Sequence, residues 1–347
     1  MNLRTKIGEN YRAWQVDIQD FYKCSSDKER LEFLLRFAVL APSSHNSQPW
    51  RFEVSDSQIK IYADMARSLP ASDKNDRQLH ISLGCAIENI LTAAEYYGYV
   101  VQVKLFPETA DDTYIANIVF TELASYVRPS HHNIFTIPKR HANRTKYDNR
   151  LPEEDFIARV KSFASATTQI HFITDKAKKD AIAGVVIEAG IAAMRDSGFR
   201  RELSRYIKNN YTSSPVGMPL YGFGVPGPIS LIAPFMMKHI NMNKVNAKTD
   251  VDILKNHTPA VLIIATRDDT KKEWLEAGIL YERIALEAEH RGMSTAPSAA
   301  AIQIGEFYKK LQEILQTTYR PQFFARLGYA KGTVKPSPRL QGGEVMQ

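Results

Sequence analysis

Two stretches of this chain concentrate the residue types that bind a small polar ligand. The first is Ala41-Pro-Ser-Ser-His-Asn-Ser-Gln-Pro-Trp50, in which Ser43, Ser44, Asn46, Ser47 and Gln48 crowd short donors and acceptors between two prolines. Such a loop can hydrogen-bond the edge of a flat, polar-rimmed heterocycle or a phosphate. It can equally be a proline-bounded turn whose polar groups satisfy one another, and composition alone favours the turn. The second stretch runs from Lys139 to Arg144 (KRHANR), which taken alone reads as a solvated basic loop.

Other candidates are weaker. Ser44 and His45 are adjacent, so their side chains point apart in an extended loop and make no nucleophile and base pair, which disfavours a hydrolase. His45, His131, His132 and His141 have neither an HxxxH spacing nor a carboxylate companion, so no metal site is expected. Gly222-Phe-Gly224-Val-Pro-Gly227 fits GxGxxG, yet no strand leads into it and Pro226 and Pro228 spoil the helix start that would hold a pyrophosphate. Cys24 and Cys85 are too few for a disulfide framework and read as free thiols of a reducing cytoplasm.

The elements that must position these residues belong to an ordinary globular chain. It has 347 residues, 44% of them apolar and 24% charged, enough for one large core or two smaller ones. The net charge of +7 comes from basic residues interleaved with acids, as in Arg267 to Glu276, without a basic stripe carrying stacking aromatics. No nucleic-acid partner is expected. The longest apolar stretch, Pro228 to Met237, holds two prolines and falls short of the roughly 20 residues that cross a bilayer. The first residues, Met1 to Lys6, lack the apolar run of a signal peptide, so the expected location is cytoplasmic.

Apolar spacing predicts a helix at 29–39 that stops at Ala41-Pro42, and alternation predicts a hairpin of Trp50 to Val54 with Ile59 to Ala63. A helix from Gln78 to Tyr97 and strands Val100 to Phe106 and Tyr114 to Phe120 follow. Helical patterns are read at 152–164, 176–208, 272–290 and 302–315, with strands at Gln169 to Thr174, Ala260 to Thr266 and Gln322 to Tyr329. Between 209 and 246 periodicity is lost in a segment rich in Gly, Pro, Tyr, Phe and Met, which reads as a packed excursion or lid. Hairpins mixed with crossovers make the expected fold class α+β.

Gly84 to Gly98 aligns with Gly278 to Gly292 without a gap, sharing Glu88/Glu282, Ile90/Ile284, Ala94/Ala288 and Glu95/Glu289 at an offset of 194. Two amphipathic helices can agree by coincidence, but the reading adopted is an internal duplication packed about a pseudo-twofold axis.

The decapeptide 41–50 resembles the APSSxNxQPW signature of the FMN-dependent nitroreductase superfamily. Lys139 to Tyr147 followed by Leu151-Pro152-Glu153-Glu154 is similar to the family's RRSxRxF string and first helix, and Leu327-Gly328-Tyr329 with Pro338-Arg339 resembles its final strand and basic residue. The chain looks like the long single-chain branch (Acg-type), because the first motif occurs only in the first half and the others only in the second. The resemblance implies a nitroreductase-like fold of mixed sheets flanked by helices, with residues 1–135 and 136–347 as two fused halves and 209–246 as a lid-like insertion. It implies one FMN per chain in a monomeric pseudo-dimer or weak homodimer.

By the same resemblance, Arg140, Arg144 and Arg339 would hold the FMN phosphate, Pro42, Ser43, Ser44, Asn46 and Gln48 would reach across the pseudo-interface, and Pro297-Ser298-Ala299 would lie near the flavin ring. His141 stands at the family's basic or polar position, and Ala142 replaces its serine, which removes one phosphate bond. The implied activity is NAD(P)H-dependent reduction of a nitroaromatic, quinone or similar small-molecule acceptor, with no catalytic acid or base, since the flavin carries the chemistry. The alternatives are a flavin-sequestering protein with little turnover, closed by the 209–246 segment, and a degenerate scaffold that binds no flavin.

Overall fold

A computed structural model of the chain describes residues 8–108, 110–127, 132–240 and 243–347, with the backbone alone for 243–248; His131 lies outside the described residues. Helix α1 (Asp27–Ala38) starts where the Ser26 hydroxyl accepts the Glu29 N–H, and its apolar face is buried. Strands β1 (Trp50–Val54) and β2 (Gln58–Ala63) form the expected hairpin, Phe52 opposite Ile61 and Val54 opposite Ile59. Helix α2 (Arg77–Tyr96), β3 (Tyr99–Leu105) and β4 (Tyr114–Glu122) complete an antiparallel sheet in the order β1-β2-β4-β3.

The second half opens with α3 (Glu154–Lys161), β5 (Thr168–Ile173), α4 (Lys176–Arg195) and α5 (Ser197–Tyr206). The chain continues through β6 (Ile207–Lys208), β7 (Met218–Pro219), α6 (Gly227–Ser230), α7 (Ala233–His239) and α8 (Asn243–Asn256), the excursion expected at 209–246 falling within this stretch. Then come β8 (Ala260–Thr266), α9 (Lys271–His290), β9 (Ser294–Pro297), α10 (Ala300–Gln303), α11 (Phe307–Leu315) and β10 (Arg320–Gly328). Its main sheet, β5-β8-β10-β9, is also antiparallel throughout.

Both sheets therefore run first-second-fourth-third, and in both the long helix, α2 or α9, lies between the second and third strands. These two helices pack on each other. A methyl group on Gly84 would strike the Leu275 carbonyl oxygen, and one on Gly278 would strike that of Ile81. The two contacts are one contact repeated at the offset of 194. Almost every residue of α2 is buried, as expected of a helix surrounded by protein on all sides. One apolar core runs through both halves, from Leu34, Trp50 and Ile87 to Tyr281, Ile284 and Phe323.

The structure differs from the expectation in several elements, and β9 and α8 were not anticipated. The long pattern 176–208 is two helices and a strand, because Asp196 breaks it and caps α5 by accepting the Gly198 and Phe199 N–H groups. The pattern 302–315 is broken at Gly305, whose φ of +47° suits glycine. The Gly- and Pro-rich segment is not devoid of helix: Pro228 and Pro234 occupy the first turns of α6 and α7, where a missing N–H costs nothing.

Candidate active site

Between the halves lies a cavity of about 780 Å³, and the loop after α1 forms one wall of it. His45, Asn46 and Gln48 all have φ near +54° (53°, 55° and 55°), a conformation non-glycine residues adopt at some cost. The surroundings hold them there. The Asn46 amide donates to the Gly217 and Pro338 carbonyls, each at 2.9 Å, and its oxygen accepts from Arg339 Nη1 at 2.6 Å. Gln48 donates to the Pro215 carbonyl, accepts from the Leu340 N–H, and its own N–H donates to Ser43 Oγ. Ser44 N–H faces Ser82 Oγ on α2.

The strip 140–144 forms another wall, stitched to β9 by the pairing of Ala142 with Thr295 and by the Asn143 N–H on the Thr295 carbonyl. Four arginines line the cavity, Arg140, Arg144, Arg326 and Arg339, against a single lining carboxylate, Asp250, among the described residues. Arg140 is 2% exposed; its Nε lies 2.8 Å from Glu282 and its Nη2 donates to the Leu40 carbonyl, while Nη1 is buried without a partner. Arg339 stands over the Trp14 ring, its Nε buried and unpartnered. Burial, helped by the Arg140 charge and opposed by Glu282, pulls its guanidinium down to about 9. The Arg144 guanidinium lies 5.0 Å from the Phe223 ring and has no ion pair among the described residues; burial lowers its proton affinity. Such a surplus of positive charge with orphaned donors suits a multiply charged anion.

Behind Arg140, Glu282 is fully buried, and desolvation, opposed by Arg140, pushes its carboxyl up to about 7. His45 contributes no cation at neutral pH: burial drives its ring down to about 4, and it packs against Tyr206 and Phe199. The His141 ring nitrogens lie 2.7 Å from the Lys139 and Val334 carbonyl oxygens and so hold the loop to the C-terminal segment.

Of the residues expected in the site, Pro42, Ser43, Ser44, Asn46, Arg140, His141, Arg144, Pro297, Ser298, Ala299 and Arg339 all line this cavity. Gln48 does not; both ends of its amide are spent on backbone groups of 215 and 340. Arg326 was not anticipated, although an arginine inside the apolar strand Phe323-Phe324-Ala325-Arg326-Leu327 is a readable anomaly. Gln78, Ser82 and Tyr281 were also missed, since residues facing the cavity from long helices carry no local signature. Among the described residues no cluster of three or more His, Cys, Asp or Glu could hold a metal ion. The GxGxxG match runs from a 3₁₀ turn at Leu220–Phe223 into Gly227, the first residue of the four-residue α6, with Tyr211 packed on Gly227.

Comparison with known proteins places this geometry in context. No model of a known protein family matches the chain. A Mycobacterium tuberculosis protein named "Putative NAD(P)H nitroreductase Rv3131" is 24% identical over 326 residues, 92% of this chain and 91% of its own length. "Probable NAD(P)H nitroreductase PigM" of a Serratia species is 22% identical over 333 residues, 90% of this chain and 91% of its own. A solved structure titled FMN and NADPH-dependent nitroreductase NfnB, from Sphigopyxis, aligns over 62% of this chain and 98% of its own at 15% identity, with a TM-score of 0.43. The two relatives named as nitroreductases are similar to the chain along nearly its whole length. No helix among the described residues is long and apolar enough to cross a membrane.

Proposed function

We propose that this chain is an FMN-dependent oxidoreductase of the nitroreductase type, taking electrons from NAD(P)H and passing them to a small organic acceptor such as a nitroaromatic or quinone. The observation that carries the reading is the convergence on one cavity of the 42–46 loop, Arg140, Arg144, Arg339 and Pro297-Ser298-Ala299. The names of the full-length relatives support it.

The residues present fit such a group: Arg144, without an ion pair among the described residues, and the orphaned donors of Arg140 and Arg339 suit a phosphate near two negative charges. When bound, FMN supplies reversible hydride chemistry; the protein needs no acid or base of its own. Ser43, Ser44 and the 297–299 strip would fix the ring plane, and the arginines would anchor the phosphate. Asn46 acts through Arg339, whose Nη1 it holds. Gln48 acts through the C-terminal segment, which it ties to the loop. Ala142 offers the phosphate no hydroxyl, but its backbone pairing with Thr295 sets the spacing of the two walls.

Residues 1–135 and 136–347 are read as the two halves of an internal duplication, with the matching strand order and the repeated Gly84/Gly278 contact in support. Because the loop comes from one half and the arginines from the other, one FMN per chain is expected. The purified protein should be yellow, release close to one FMN on denaturation, and bleach anaerobically with NAD(P)H. A colourless protein that takes up no added FMN would overturn the reading. Bound flavin that NAD(P)H leaves oxidised would favour the sequestering alternative, for which the specific observation is that Phe223 and Gly217 of the excursion already sit on Arg144 and Asn46.

A further inference from the structure

The cavity wall changes character with the stretch of chain that supplies it. Outside 186–254 it carries the serines, Asn46 and the four arginines; within 186–254, among the described residues, only Thr249 and Asp250 bring polar side chains and no lysine or arginine faces inward. The rest of that wall comes from α4, α5, β6, β7, α6, α7, α8 and the turn between β7 and α6. Four of the chain's nine methionines, Met194, Met218, Met236 and Met237, lie on it. A thioether wall yields to ligands of different outline more readily than a branched or aromatic one. A chamber so lined gains little from water and much from apolar surface.

The apolar wall also meets the cationic one. Phe223 of the excursion lies under Arg144, and Phe199 and Tyr206 of α5 flank His45. The junction itself is secured: the Tyr221 hydroxyl lies 2.6 Å from that of Tyr11 and donates to the Pro336 carbonyl, and Asn10 donates to the Thr212 carbonyl. Residues 212–221 are thereby tied to the N-terminal segment and the C-terminal strip, so the chamber is a built compartment.

We infer that this chamber binds an uncharged, extended apolar molecule, an aromatic or quinoid ring with a hydrocarbon substituent. The assignment of that molecule as the electron acceptor rests on the flavin reading above; the binding itself does not. Among the described residues the 186–254 wall offers no cation to the phosphates of NAD(P)H, so the compartment is assigned to the uncharged molecule and not to the donor.

The test uses the full chain and the neutral fluorescent probe N-phenyl-1-naphthylamine, competed with decyl-substituted benzoquinone or with NADPH. Met237→Asp places a charge on the apolar wall at a partly exposed position that the fold should tolerate, and should weaken the probe about tenfold or more while leaving FMN content unchanged. Phe235→Asp alters the same helix on its outer side, where the ring is 68% exposed and does not line the cavity, and should leave probe binding unchanged. The quinone should displace the probe and NADPH should not.

Absence of probe binding, displacement by NADPH and not by quinone, or equal losses in both variants would overturn the inference, the last because the probe would then sit on the outer surface. If the protein holds no FMN, the flavin reading fails, and the probe titrations still decide the chamber.

Discussion

Arg140 and Arg144 occupy one short strip and do different work. Arg144 has no carboxylate partner among the described residues, which suits a charge offered to a ligand; Arg144→Ala should weaken FMN binding by about 1.5–3 kcal/mol, the range for a hydrogen bond to a charged group, read by flavin fluorescence titration. Unchanged affinity would show that the phosphate lies elsewhere. Arg140 is committed to Glu282 and the Leu40 carbonyl. Removing it strands a buried carboxylate, so Arg140→Ala should cost about 3–5 kcal/mol of stability as well as affinity, visible as a lowered unfolding midpoint even without FMN.

His80 is a second residue whose burial has a measurable consequence. Its Nδ1 lies 2.7 Å from the Asp76 carbonyl oxygen, its Nε2 is buried without a partner, and burial drives its ring down to about 4. Because the folded value lies below the unfolded one of 6.5, the neutral ring's full contribution is present above pH 6.5 and is lost as pH falls toward 4. His80→Gln should flatten the fall in stability between pH 6.5 and 4, measured by denaturant titration at several pH values. An unaltered slope would assign the acid sensitivity to other groups.

At the scale of elements, the crossing of α2 and α9 depends on two glycines that let backbone meet backbone. Gly84→Ala and Gly278→Ala should each destabilise by about 1–3 kcal/mol or more, since the added methyl meets a carbonyl that cannot move without shifting a helix. Gly184 in α4 is the control: nothing lies within 4 Å of an added methyl, so Gly184→Ala should stabilise by about 0.5–1 kcal/mol. If all three variants unfolded alike, the close approach would not be what spaces the helices. Short elements escaped the sequence for the reason that Asp196 and Gly305 show. A cap or one left-handed residue ends a helix without disturbing the apolar rhythm on either side. Strand β9, four residues long, has too little alternation to be read, yet it positions Ala142 and the 297–299 strip.

At the scale of the whole molecule, the main core, which runs through both halves, makes separate folding unfavourable. Intact protein should unfold in one cooperative transition, and residues 136–347 expressed alone should lack one, because Tyr281 and Ile284 would lose the buried partners that α2 provides. Two separate transitions in the intact chain would mean that the halves are independent domains.

By itself the sequence determined the long periodic elements, the offset of 194 between α2 and α9, and the two motifs that line the cavity. Those signals are local: apolar spacing and motif residues lie within a few turns of one another. Only the tertiary structure decided that Arg140 is held in an ion pair, since Glu282 lies 142 residues from it along the chain and no local pattern links them. It also decided that Gln48 is a tie, that Arg326 joins the site, and that residues 186–254 turn an apolar face into the same cavity. Each of these depends on what packs across from a side chain, and that is settled by the fold, not by the side chain's neighbours in sequence.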